Sequence, residues 1–148
     1  MELLENTSIE DLGFKKNFSV EHADVFLNKD KGIITCVLLT DYVPIVDFRE
    51  LFNRISVLVV NNTIKKFIFD KRSLRTFHQP SMEWYFIEWK TEMYKHGLRV
   101  HRKILPDLPW FAKAVEIVRK PLIEKFPPEI KANIDIGYRN SIEEAVKS

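Results

Sequence analysis

The 148 residues, 45% hydrophobic and 30% charged, have the make-up of a globular chain long enough for one core and too short for two ordinary domains. A net charge of +2 and a single cysteine argue against a strongly basic nucleic-acid binder, and they exclude an internal disulfide and a Cys-based metal centre. No apolar run reaches the roughly 20 residues of a membrane helix, and the acidic start MELLENTSIEDLGFKKNF lacks the basic and apolar regions of a secretory signal. The expectation is one cytoplasmic domain, 1–148, with no membrane span and no nucleic-acid partner.

Charge is unevenly spread. Residues 1–60 hold 6 basic and 10 acidic side chains, residues 61–110 hold 10 and 5, and the remainder 7 and 6. The middle third is the basic part.

Residues 1–17 show no sustained period and are expected to form a peripheral arm or a short helix over a sheet edge, with the core at 18–148. Asp24–Asn28 and Gly32–Thr40 are β-rich runs separated by a turn with Asp30 and Gly32, which is a hairpin signal. The second run, GIITCVLLT, is apolar at nearly every position, as in a strand covered on both faces. After Tyr42-Val43-Pro44, apolar residues at Ile45, Phe48, Leu51, Phe52, Ile55, Leu58 and Val59 repeat every three or four positions. That spacing predicts an amphipathic helix, ended by Asn61-Asn62.

The strand Lys65–Asp70 follows, expected to run parallel to the one before the helix. A basic loop, 71–79, leads into an aromatic helix carrying Met82, Tyr85, Phe86, Trp89 and Met93 on one face and stopping at Gly97. Leu98–Leu105 is the next strand. Its alternation sets Leu98, Val100 and Ile104 against Arg99, His101 and Lys103, so one face is expected to be wet. A third helix with Phe111, Ala114, Val115 and Val118 is kinked or divided at Pro121. A last strand, Ile130–Tyr138, and a closing helix capped by Ser141 complete an α/β fold: a mixed five-stranded sheet packed with about four helices.

This order resembles the domain shared by sulfate transporters and anti-sigma-factor antagonists, the STAS domain, and its SpoIIAA-like branch in particular. The matching features are the opening hairpin VFLNKDKGIITCVLL, the Phe-Ile-Phe-Asp strand end at Asp70, the Gly97-Leu98-Arg99-Val100 step and the close from Tyr138 to Ala145. The resemblance implies a non-enzymatic regulatory module that docks a protein partner or a homodimer mate. In the phosphorylated antagonists a Ser ahead of the helix after the third strand receives a phosphoryl group. Ser81 stands near that place, without the family's flanking Asp and Gly, and is the candidate phosphosite.

A hydrophobic strand ending on Asp70, followed by a polar loop and a helix start, is where open α/β sheets usually bind. The candidate partner- or ligand-binding residues are therefore Asp70, Arg72, Ser73, Arg75, Gln79, Ser81 and Trp84. Asp70 either caps the loop opposite Arg72 or acts as an acid. Lys71, Arg72 and Arg75 either form a solvated basic loop or hold a phosphate or carboxylate, and Ser81 is alternatively a helix cap. Trp84 and Ile87 lie off the main helical face, a surplus that a neighbouring helix, a partner or an apolar ligand would absorb. The four histidines have no metal-site spacing, and Cys36 sits in an apolar run. No metal, no cofactor and no catalytic residue is expected; the alternative to docking is a carrier or sensor of an apolar or anionic small molecule held between sheet and helices.

Overall fold

A computed structural model describes residues 8–148, so the first seven residues of the expected arm, 1–17, lie outside the described residues. Six strands form one mixed sheet in the order β1 to β6: β1 (Lys15–Val20), β2 (Ala23–Asn28), β3 (Ile33–Leu38), β4 (Lys66–Asp70), β5 (Val100–Ile104) and β6 (Asp135–Tyr138). β1 to β3 pair antiparallel, and β3 to β6 run parallel. The α/β class and mixed sheet are as expected, with one strand more. That strand is β1, which takes in Lys15, Lys16 and Asn17 from the expected arm; a 3-10 turn, Glu10–Leu12, precedes it.

The β2–β3 hairpin closes where Gly32 N–H donates to Asn28 O at 2.9 Å and Lys31 N–H to Asn28 Oδ1 at 3.0 Å. Gly32 has φ of +69°, and a Cβ there would lie 2.7 Å from the Thr63 carbonyl oxygen, so both backbone sign and space require glycine. β3 lies between β2 and β4, with Ile33, Ile34, Thr35, Cys36 and Leu38 buried. Burial on both faces explains its unbroken apolar run.

Helix α1 (Ile45–Asn61) joins β3 to β4. The next connection holds α2 (Gln79–Glu83), a π-helical stretch Trp84–Trp89 and α3 (Lys90–Tyr94); α4 (Pro109–Ile123) and α5 (Pro128–Asn133) join β5 to β6, and α6 (Ile142–Lys147) ends the chain. Phe48, Phe52, Tyr85, Trp89, Phe111 and Val115 from these helices pack on Ile34, Cys36, Phe67 and Phe69 of the sheet. A smaller cluster of Phe14, Phe26, Ile33, Ile68, Ile104 and Ala145 lies on the opposite face, where Ile142 and Val146 of α6 add to it. Strand alternation thus sorts Phe67 and Phe69 to one layer and Ile68 to the other.

Two expectations are corrected. β5 has no wet face: His101 and Lys103 are fully buried, and Arg102 is buried too, with its guanidinium held by Asp135 at 2.9 Å and 3.1 Å. The His101 ring lies 6.4 Å from those of Phe67 and Trp89, because helices cover the face that charge alone marks as exposed. The segment expected as strand Ile130–Tyr138 is half helix: Pro128 opens α5 at the position where a missing N–H costs nothing, and only Asp135–Tyr138 is strand. Of the two alternatives at Pro121, division of the helix is not seen: α4 runs through Pro121 to Ile123.

Candidate functional site

The parallel strands deliver their C-terminal ends, and the loops beyond them, to one edge of the sheet. There lie the β1–β2 turn at Glu21-His22, the segment 39–44, the loop 71–78, the segment 105–108 and the start of α6. The candidate residues cluster in the second of the long loops, and most of their polar atoms are spent on the loop itself. Asp70 accepts from Arg72 Nε at 3.0 Å, from Arg72 Nη2 at 2.7 Å and from the Arg72 backbone N–H at 3.1 Å. This bidentate pair plus amide closes the turn, and its hydrogen bonds to Asp70 raise the Arg72 pKa further.

Ser73 donates its hydroxyl to Thr40 O at 2.7 Å, and Arg75 N–H donates to Asp41 O at 3.0 Å, tying the loop to the segment after β3. The Arg75 guanidinium turns back on the carbonyls of Arg72 and Leu74, at 3.0 and 2.7 Å. Gln79 donates to Glu83 at 3.0 Å. The cap of α2 is His78 rather than Ser81: Nδ1 of His78 accepts from the Ser81 backbone N–H at 3.4 Å and meets the Ser81 hydroxyl at 3.1 Å. Ser81 itself is only 3% exposed.

A Ser–His contact is the beginning of a nucleophile and base pair. Among the described residues, however, no carboxylate is hydrogen-bonded to His78, and Asp70 is committed to Arg72. Cys36 is fully buried, and burial pushes its thiol pKa far up.

The aromatic surplus is taken up inside the fold. The π-helical stretch widens the helix, so that a backbone N–H reaches back five residues, as that of Lys90 does to Tyr85 O. Trp89 stacks on Tyr85 at 5.7 Å and donates its indole N–H to Ser56 of α1 at 2.8 Å. The Trp84 ring meets Phe48 and Phe52 edge-on at 6.4 Å, with the Arg49 guanidinium 5.3 Å above it, and Ile87 packs against the Phe86, Leu122 and Phe126 cluster.

Beneath the loop lies a pocket of about 40 Å³, walled by Leu38, Val43, Phe48, Phe69, Leu74 and Phe77 among others, with Lys71, Thr76, His78 and Ser81 as its polar members. Lys71 departs from the expected solvated basic loop. It follows Phe69 on the helix-covered face and is 6% exposed, and burial lowers its pKa to about 8. Strand periodicity carried one residue past Asp70 was the signal that could have placed it.

Elsewhere on the same edge, ligand atoms of Glu21, His22 and Asp47 lie within 4.8 Å of one another. Thr40 donates its hydroxyl proton to Tyr42 O at 3.1 Å and so accepts from His22 Nδ1 at 2.8 Å. His22 Nε2 is left facing Asp47 Oδ2 at 3.1 Å, an arrangement suited to an imidazolium–carboxylate pair or to a bound cation. The sequence hides it, because residues 22 and 47 meet only when the β1–β2 turn packs beside the first turn of α1. Between α4 and the end of β6, a wider cleft of about 590 Å³ holds Arg72, Asp107, Glu116, Tyr138 and Arg139.

No helix among the described residues is long and apolar enough to cross a membrane. A scan against protein-family models and a search of curated proteins find no match to the chain.

Proposed function

We propose that the chain is a non-enzymatic, STAS-like interaction module that docks a protein partner through the edge formed by the loop 71–79, the segment after β3 and the helix from Ser81. The observation that carries this reading is a set of large apolar side chains left in solvent at that edge. Leu39 and Tyr42 follow β3, Val46 in the first turn of α1 is 73% exposed, and Trp110 in the first turn of α4 is 55% exposed. Scattered apolar residues are ordinary on a surface, but several at one edge mark a contact area. The loop beneath them is tied by the Asp70–Arg72, Ser73 and Arg75 bonds, so the surface is held ready rather than ordered on contact.

The STAS-like part of the reading rests on the sequence resemblance and on an element order that opens with antiparallel strands and continues as alternating parallel strands and helices. A carrier of a large apolar molecule is less favoured. The space under the loop is about 40 Å³, far below the roughly 300–1,000 Å³ of sites for drug-sized ligands, and the cleft of about 590 Å³ beside α4 is of that size but has Arg72, Asp107, Glu116 and Arg139 in its wall.

Because Trp84 is occupied by α1, the informative variants are Tyr42→Ser and Trp110→Ser. Cross-linking followed by mass measurement should give a defined complex, with a partner or with a second copy, that either substitution weakens about tenfold, the usual cost of losing one aromatic anchor. A chain that stays monomeric and cross-links to nothing, or a complex indifferent to both substitutions, would refute the docking edge.

A further inference from the structure

A buried ammonium needs acceptors or a counter-charge, and it is costly without them. Lys71 has neither. Among the described residues no side chain donates to, accepts from or ion-pairs with its Nζ, and the nearest recorded contact is the face of the Phe69 ring, 5.4 Å away. The neighbouring carboxylate, Asp70, is consumed by Arg72 on the opposite face of the strand. The side chain lines the 40 Å³ pocket instead. With a pKa near 8, most molecules at neutral pH keep the charge, with no protein counter-charge beside it.

The rest of the pocket says what would compensate it. Thr76 and Ser81 are the hydroxyl-bearing Ser and Thr residues of its wall. The Ser81 hydroxyl proton is taken by His78 Nδ1, which accepts from it at 3.1 Å and from the Ser81 backbone N–H at 3.4 Å, so of these two hydroxyls that of Thr76 is the one left to meet a ligand. One ammonium and one hydroxyl match the two oxygens of a carboxylate. They fall short of what a phosphate needs, and the remaining wall of Leu38, Val43, Phe48 and Leu74 is apolar. A water occupies about 10–15 Å³ of such volume, so the pocket takes about three waters or a molecule of about four to six heavy atoms.

We propose that this pocket is a binding site for a short-chain carboxylate, of acetate to butyrate size, whose carboxylate pairs with Lys71 and accepts a hydrogen bond from Thr76 while its alkyl tail lies against the apolar wall. The site stands on the pocket alone and does not require the docking edge to be correct.

The test is thermal unfolding of the full chain at pH 7 and constant ionic strength with sodium acetate, propionate or butyrate, against propionamide, sodium chloride and inorganic phosphate. Propionate should give a saturable rise in Tm with Kd on the order of 1 mM, within reach for so few atoms, and the three controls should not. Lys71→Met should remove the response. Equal effects of propionate and chloride, or a Lys71→Met chain that still responds, would overturn the site. Should that variant not fold, Thr76→Val is expected to weaken propionate binding about threefold to tenfold. NMR of the lysine side chains in the unaltered chain should also show Lys71 titrating at higher pH with propionate than without; an unmoved midpoint is a refutation.

Discussion

Lys90 and Lys103 are fully buried on the helix-covered side of the sheet, in a nest of aromatic rings. Lys90 donates to the Tyr85 hydroxyl at 2.9 Å. Among the described residues Lys103 Nζ has no hydrogen-bond partner, and it sits 4.6 Å from the Phe86 ring centre, with Tyr85 and Tyr138 farther off. Burial, and then their mutual repulsion with Lys71 and Arg119, holds both pKa values well below the usual lysine range. Protons that these groups and Lys71 have released in the fold are still held by the unfolded chain until about pH 10.4. Stability therefore rises with pH from the folded pKa values toward that limit. Cys36 and Tyr85 act in the other direction, because burial raises both and the unfolded chain ionises first, from about pH 9 upward. Urea midpoints should accordingly climb between pH 7 and 9 and then level or fall. Lys103→Met should flatten the climb and raise stability at pH 7 by about 1–3 kcal/mol, since it removes a buried amine without leaving a partner behind. A midpoint that falls between pH 7 and 9 would contradict the buried, unpaired lysines. None of this was legible in the sequence, where alternation separates Lys103 from Ile104 but does not say which of the two faces a helix will cover.

At the scale of elements, legibility followed hydrophobic contrast. The β2–β3 hairpin, α1 and β4 were readable because their apolar residues recur at one clear period and end on turn residues. β1 was not, since Lys15, Lys16 and Asn17 are exposed and an edge strand made of charge shows no alternation, which is how edges resist pairing with strangers. The shift of register between Lys16 and Phe18 interrupts the period further. The aromatic helix was legible as a helix, yet its π-helical turn was not. The stripe of Met82, Tyr85, Phe86, Trp89 and Met93 was legible and is buried, but composition alone could not tell that Trp84 would be set against α1. Of the candidate site, the sequence located the loop and the Asp70–Arg72 pair. It missed Lys71 as an interior residue and His78 as the helix cap. The hairpin offers the cleanest test at this scale. Gly32→Ala places a Cβ at 2.7 Å from a backbone oxygen on a positive φ and should cost about 1–3 kcal/mol, read as a lower urea midpoint with an unchanged slope. An unaltered midpoint would mean that Thr63 and its neighbours yield freely.

For the whole molecule, the two sides of the sheet are unequal. The helix-bearing side holds the large aromatic core, and the other is closed by α6 and the chain before β1 through a much smaller cluster. Lys66 fastens α6 by donating to the carbonyls of Ala145 and Val146 at 2.8 and 3.0 Å, and Arg102 holds Ser148 O at 2.9 Å. With little apolar area behind it, α6 is expected to open before the rest of the fold. Hydrogen exchange should report its amides as faster than those of β3 by about tenfold or more; equal protection would mean that both sides open as one unit.

The lone thiol of Cys36 lies midway along the central strand, with a strand bonded on either side and side chains packed over both faces. A disulfide reagent can reach that sulfur only after the sheet comes apart, so its colour change is a stopwatch native to the chain. The reaction should run about a thousandfold or more slower than in denaturant. Detachment of α6 alone should leave the stopwatch still, which gives loosening of the thin side and rupture of the centre separate readouts without any label being added.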